Sequence, residues 1–97
     1  SRYVSISDMK EGMKRIDTEE LMVLSVGNVM GKSGKKVQYV KIVAGDGRAQ
    51  VAIALPVEKG EGIRQGDIIQ LARAELKRVN GELALTIRKN SKVSVFR

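Results

Sequence analysis

The sequence contains no cysteine, no histidine and no tryptophan, and it has a single proline. Without cysteine the chain forms no disulfide and has no thiol nucleophile. Without histidine it also lacks the usual zinc ligands and the commonest general base near neutral pH. No apolar run approaches the ~20 residues that span a bilayer, and no stretch is typical of a signal peptide. These absences favour an intracellular protein, although missing cysteine alone indicates this only weakly.

The most unusual property of the sequence is its excess of positive charge. Eighteen Lys and Arg residues stand against eleven Asp and Glu, which gives a net charge of +7 in 97 residues. A field of this sign attracts nucleic acid, an acidic protein or an anionic membrane surface. A solvated basic surface with no specific partner is the alternative. The length suits one domain over 1–97, with 1–17 as an N-terminal turn segment and 90–97 as a C-terminal tail.

Valine, isoleucine and leucine recur at alternate positions, which is the period of a β-strand. The pattern predicts five strands, over residues 19–30, 37–44, 49–55, 66–79 and 82–87. In the first strand both faces are apolar, so it is expected to be buried on both sides or to change sheets, with Gly27 allowing a bend or bulge. In the second, Val40 and Ile42 are expected to face inward, and in the third, Ile53 and Leu55.

Turn signals connect these strands. Gly45-Asp46-Gly47 and Asn80-Gly81 are typical of tight hairpins, since these residues accept positive φ at little cost. Residues 6–13 predict one helical turn that Ser7 caps, and the segment 56–66 leaves room for one turn at most. Residues 93–96 form either a last strand or a segment that docks on a partner.

This arrangement predicts an all-β fold with at most one short helical turn. Five strands, two hairpins and a short connection between the third and fourth strands match the five-stranded Greek-key barrel of the oligonucleotide/oligosaccharide-binding (OB) type. An SH3-like barrel is the alternative, but its strands are usually shorter than the first and fourth strands here.

Nothing in the sequence predicts catalysis. Gly31-Lys32-Ser33 is reminiscent of a phosphate loop, but that motif requires glycine where this chain has Val26, and a strand rather than a helix follows. Glu19 and Glu20 are adjacent on a strand and therefore point to opposite faces. No combination of nucleophile, base and oxyanion donor is apparent, so we expect no enzyme, no cofactor and no metal.

The basic residues are the candidate site. In an OB barrel the ligand lies on strands two and three, between the loops that join strands one to two and four to five. Tyr39 is the one aromatic residue expected in this groove, where it would stack a base, and Asn80 would lie at the rim. The predicted nucleic-acid-binding set is Lys32, Lys35, Lys36, Tyr39, Lys41, Arg48, Arg73, Lys77, Arg78, Asn80, Arg88 and Lys89.

Four stretches resemble the OB domains of archaeal single-stranded DNA-binding proteins, replication protein A and the DNA-binding subunit of the SOSS complex. They are similar to the family's opening turn, its turn between strands two and three, the start of strand four and the last hairpin, and they comprise residues 6–13, 43–48, 66–71 and 79–85. The chain departs from the family where stacking aromatics are typical, because it has Ala54 and Val79 there.

The resemblance implies a module for DNA replication or repair that binds single-stranded DNA, or RNA, by phosphate neutralisation with little base specificity. It would lie in the nucleus of a eukaryote, or in the cytoplasm or nucleoid of an archaeon. The missing aromatics favour an alternative, a structural OB subunit that assembles with other proteins of a replication protein A-like complex.

Overall fold

A computed structural model describes residues 3–31 and 38–97 of the chain. Its regular structure is almost entirely β, as the alternating pattern predicts. It has one short α-helix, α1, and a 3-10 turn at Ile6–Asp8. The bounds are β1 Tyr3–Val4, β2 Asp17–Thr18, β3 Leu21–Gly31, β4 Gln38–Gly45, β5 Gln50–Pro56, α1 Val57–Gly60, β6 Ile68–Ala72, β7 Glu75–Val79, β8 Glu82–Thr86 and β9 Lys92–Phe96.

The opening turn differs from its prediction in its cap. Ser7, the expected cap, lies inside the 3-10 turn, and Ser5 precedes the turn instead. The backbone carbonyl of Ser5 accepts the Asp8 N–H at 3.0 Å, and the Ser5 hydroxyl donates to the Asp8 carboxylate at the same distance. The short connection after Pro56 holds a single turn, α1, as expected.

The predicted fourth strand is wrong as a single element, because the chain forms β6 and β7 with a break between them. Arg73 has a left-handed backbone, with φ of 58°, which no regular strand contains. Its N–H donates to the Asp17 carboxylate at 3.0 Å instead of to a neighbouring strand. The next residue, Ala74, exchanges two backbone hydrogen bonds of 2.8 Å with Ile16.

Seven strands form one sheet, in the order β7-β8-β5-β4-β3-β6-β9. The tail is the last strand, since β9 pairs antiparallel with β6. Within residues 3–31 and 38–97, no strand pairing joins the two ends of this order, so hydrogen bonds do not close the sheet there. However, β6 and β7 are consecutive in the chain and lie near opposite ends of this order, so the sheet must curve around its core. A separate parallel pair joins β1 and β2.

The core confirms the predicted inward faces of β4 and β5. Val40 and Ile42 are buried, as are Ile53 and Leu55. Of the two alternatives for β3, burial on both faces is wrong, but the expected bulge at Gly27 is present. The register of β3 slips twice against β4, once between Val23 and Ser25 and once at Gly27 between Val26 and Val29. These bulges bend β3. Met22, which alternates with the buried Leu21 and Val23, is 49% exposed, and Val26 is 38% exposed.

One buried polar side chain joins the small pair to the large sheet. Thr18 of β2 is fully buried, and its hydroxyl oxygen accepts the Leu71 backbone N–H of β6 at 2.9 Å. Its own carbonyl accepts the Gln70 side-chain amide at 3.1 Å. Among residues 3–31 and 38–97, no helix is long and apolar enough to cross a membrane.

Replacing Thr18 by valine tests this junction. The Thr18→Val variant keeps the side-chain shape but leaves the buried Leu71 N–H without its acceptor, which costs about 1–3 kcal/mol of unfolding free energy. Thr18→Ser keeps the hydroxyl and loses only one methyl group, worth roughly 0.8 kcal/mol. Urea denaturation measures both variants. A valine variant as stable as the wild type would show that this bond does not hold the pair in place.

Candidate nucleic-acid interface

A shallow groove lies on the outward face of β4 and β5, the two strands that the sequence predicts to carry the ligand, and it extends onto β8. Its floor is made of alanines, because Ala52 and Ala54 of β5 alternate with the buried Ile53, and Ala84 of β8 lies beside them. Ala54 and Ala84 are each only 4% exposed, since longer side chains flank them. The groove lining comprises Lys41, Ala52, Ile53, Ala54, Val79, Glu82 and Ala84.

An ion pair spans the middle strand of the groove. Lys41 Nζ of β4 lies 2.6 Å from Glu82 Oε1 of β8, and β5 lies between these two strands. The two side chains are 33% and 54% exposed. A pair exposed to this degree contributes about 0–1 kcal/mol, so an incoming phosphate can displace the carboxylate at little cost. Lys41 is therefore placed where the sequence predicts it, but it already has an acidic partner.

The groove continues toward the N-terminal turn. A cavity of about 400 Å³ shares Ala52 and Glu82 with the groove and reaches Ile6 and Met9 at its far side. The rest of its lining is mixed, with Gln50 the only amide, so this end of the groove offers apolar contact more than charge. Together the two depressions form a continuous surface over β4, β5 and β8.

Tyr39 lies on the same face as Lys41, because the two are separated by one residue on β4. It is half-buried and stands in register with Pro56 on β5. Its position fits the predicted role of a ring beside the groove floor. Lys32, Lys35 and Lys36, which the sequence predicts to converge here, lie outside the described residues.

The hairpin of β7 and β8 divides its predicted site residues between two faces. Lys77 shares a face with the groove residue Val79, and it is exposed. Arg78 lies on the other face, where its guanidinium pairs with Glu11 at 3.4 Å and donates to the Gly81 carbonyl at 2.9 Å. Asn80 forms the tight turn with φ of 52°, as its place before a glycine predicts, and it is exposed at the rim.

Arg48 is not part of the groove. It lines a different cavity of about 530 Å³ together with Met22, Leu24 and Ile68, on the outer side of β3. The turn before it is held by Asp46, whose carboxylate accepts the backbone N–H groups of Arg48 and Ala49, each at 2.9 Å. The hydrogen bond from Ala49 has the larger effect and that from Arg48 the next. Together they lower the pKa of the Asp46 carboxyl below its usual value of 3.8.

Three further residues of the predicted set lie together, away from the Lys41–Glu82 pair: Arg73, Arg88 and Lys89. They line a cavity of about 410 Å³ that also includes two cations which the sequence reasoning missed, Lys14 and Arg15. The adjacent Lys-Arg pair was visible in the sequence, but nothing local indicates that it meets residues sixty positions later. We call this surface the Arg73 cluster; its charged members are Lys14, Arg15, Arg73, Glu75, Arg88 and Lys89.

No protein-family model matches the chain, and no curated protein matches it. Its fold does match solved structures, although at low sequence identity. The OB domain of a Thermoplasma acidophilum protein superimposes with a TM-score of 0.74 at 17% identity, over 97% of this chain and 86% of that one. The fold is therefore the OB fold, as the strand pattern predicts, with the tail adding an edge strand.

Two other neighbours are a replication factor A-related protein and a DNA-binding protein. A replication factor A-related protein of Methanobacterium thermoautotrophicum has a TM-score of 0.70 at 15% identity, covering 98% of this chain and 91% of that one. A murine DNA-binding protein bound to double-stranded DNA has a TM-score of 0.71 at 15% identity. That match covers 99% of this chain but only 48% of the murine chain, so this chain spans about half the length of the murine protein. At these identities the likeness establishes the fold alone.

The Asp46 turn predicts a pH dependence of stability. Because the folded pKa lies below the usual 3.8, the carboxylate stabilises the fold at any pH above that value, and the contribution is lost as the pH falls through the folded pKa. Asp46→Ala should therefore be less stable than the wild type at pH 7, with the difference shrinking below about pH 4. Asp46→Asn, which keeps an acceptor oxygen without charge, is the control. Thermal unfolding from pH 2 to 7 measures this, and a constant difference would contradict it.

Proposed function

We propose that this domain binds single-stranded nucleic acid, most readily DNA, across the groove of β4, β5 and β8, with little base specificity. The observation that carries the proposal is the groove itself, an alanine floor with a lysine and a tyrosine on the same face of an OB fold. The net charge of +7 supports a polyanionic ligand. The DNA-bound murine neighbour and the replication factor A-related neighbour support the same partner class.

In the proposed mechanism a phosphate takes the place of the Glu82 carboxylate on Lys41. Bases then lie on the apolar floor of Ala52, Ala54 and Ala84, and one of them stacks on Tyr39. The alanines supply no stacking energy, so affinity depends mostly on phosphate contacts and falls with salt. The role requires neither catalysis nor a cofactor, and we infer that the domain serves DNA replication or repair.

A structural role in a multiprotein assembly is the second candidate, and one observation favours it. Met22, Ile68 and Phe96 stand in register across β3, β6 and β9, on the outer surface of the sheet. Met22 and Phe96 are 49% and 47% exposed, and with Ile68 between them they form one apolar row rather than scattered positions. The two candidates use different faces of the domain, so variants can separate them.

The direct test is fluorescence anisotropy of a labelled oligo-dT of about 20 nucleotides, titrated at several salt concentrations. Glu82→Gln should tighten binding roughly fivefold, because it removes a carboxylate worth about 1 kcal/mol that competes for Lys41. Lys41→Gln should weaken binding and reduce the salt slope by about 0.7.

Lys59→Gln is the matched control, since Lys59 is exposed on α1. It should change binding less than Lys41→Gln does, although both remove one positive charge. If no binding occurs even at low salt, or if both lysine variants behave alike, the groove is not the binding site.

Val79→Tyr tests whether the groove lacks only an aromatic surface. Val79 is half-buried at the groove edge, where a ring can lie against a base. A new stacking contact is worth about 1–3 kcal/mol, so binding of the same oligonucleotide should tighten by about tenfold. Val79→Leu, which adds apolar area without a ring, should leave affinity close to the wild type. Equal affinities for the tyrosine and leucine variants would place the bases elsewhere.

A further inference from the structure

Of the five cavities described for residues 3–31 and 38–97, the one at the Arg73 cluster has the most cationic side chains in its lining. Five cations meet one carboxylate there, Glu75. The Glu75 side chain is only 10% exposed, and its Oε1 accepts from Arg88 Nε at 2.8 Å. Within residues 3–31 and 38–97, no acidic group lies within ion-pair distance of Lys14, Arg15, Arg73 or Lys89. This contrasts with the groove, where Lys41 already pairs with Glu82.

Backbone hydrogen bonds bring the N-terminal cations to this place. Ile16 and Ala74 exchange two bonds of 2.8 Å, and the Leu76 N–H donates to the Met13 carbonyl at 2.9 Å. Lys14 and Arg15 lie between these bonds and are thus fixed beside Arg73. Arg15 and Arg73 both have left-handed backbones, with φ of 55° and 58°.

The third segment of the cluster is fixed by one serine. The Ser91 hydroxyl accepts the Arg88 N–H at 2.8 Å and donates to the Arg73 carbonyl at 2.7 Å. This ties the turn that contains Arg88 and Lys89 to the break between β6 and β7. The backbone positions of the cations are therefore fixed before any ligand arrives, which lowers the entropic cost of binding.

The register of the sheet places this cluster in line with the groove. Lys41 stands opposite Ala54, and Thr86 stands opposite Glu75. Extending the Ile53–Leu85 pairing by one residue puts Ala54 beside Thr86. A line across the sheet thus runs from Lys41 over the alanine floor to Glu75 and its partner Arg88. It crosses three strand spacings, about 14 Å.

We propose that the Arg73 cluster binds the phosphodiester backbone of nucleic acid where the strand leaves the groove. This inference rests on the proposed groove function and extends it to a second, separate set of phosphate contacts. Arginine guanidinium groups suit the ligand because they donate to phosphate in a bidentate manner. Lys77 is exposed on the groove face of β7. It lies two residues from Glu75 and opposite Ala84, and therefore beside this line.

The test is a Lys14→Gln, Lys89→Gln double variant of the whole chain, compared with a Lys59→Gln, Arg64→Gln double variant that loses the same charge. All four side chains are exposed and none has an ion pair among the described residues. In anisotropy titrations with oligo-dT of about 20 nucleotides, the cluster variant should bind about tenfold more weakly than its control. Its salt slope should be lower by about 1.4, the value for two phosphate contacts.

The groove variant Lys41→Gln separates this inference from the proposed function. If Lys41→Gln weakens binding while the two double variants bind equally, the groove is correct and the cluster is not a nucleic-acid site. If the wild type binds no oligonucleotide at all, the proposed function fails first. Inorganic phosphate is the competitor. If phosphate binds the wild type but the two double variants still bind the oligonucleotide equally, the cluster holds a free anion only, and the inference is overturned.

Discussion

Two backbone hydrogen bonds between Ile16 and Ala74 organise most of this molecule. They occupy the break between β6 and β7, where Arg73 takes a left-handed conformation that a continuous strand would not permit. Because of this break, β6 pairs with β3 while β7 pairs with β8, so one stretch of chain serves both flanks of the curved sheet. The same bonds bring the N-terminal segment to the basic surface around Arg73. The fold and the distribution of charge therefore depend on one junction.

The apolar groove of the domain is separate from most of its positive charge that has no acidic partner among the described residues. In the groove the floor consists of small side chains, and the cation that reaches it is neutralised by Glu82. At the Arg73 cluster the balance is reversed, since four cations there have no acidic partner among the described residues. A ligand with both flat apolar groups and a regular series of anions can use both surfaces at once. Single-stranded nucleic acid has this chemistry, whereas a compact acidic protein has it less regularly.

Local patterns were sufficient to predict the fold class, both hairpins and the inward faces of β4 and β5. They could not predict the break at Arg73, because its stabilising contacts, with Asp17 and between Ile16 and Ala74, join segments more than fifty residues apart. They predicted the bulge at Gly27 but overestimated burial on β3, where Met22 and Val26 are exposed on the outward face. For the site, alternation placed Lys41 and Tyr39 on the groove face correctly. Sequence gives no register between distant strands, so neither the Glu82 partner nor the meeting of Arg15 with Arg73 was predictable.

Mapping the bound strand on the protein tests the central claim most directly. The measurement is a titration of the nitrogen-15-labelled domain with oligo-dT, followed by the chemical shifts of backbone amides. We predict that the largest shifts occur at Lys41, Ala54 and Ala84, with Met22 and Phe96, at the β3-β6-β9 end of the sheet, unchanged. Shifts confined to Met22, Ile68 and Phe96, or no shifts at all, would contradict the account.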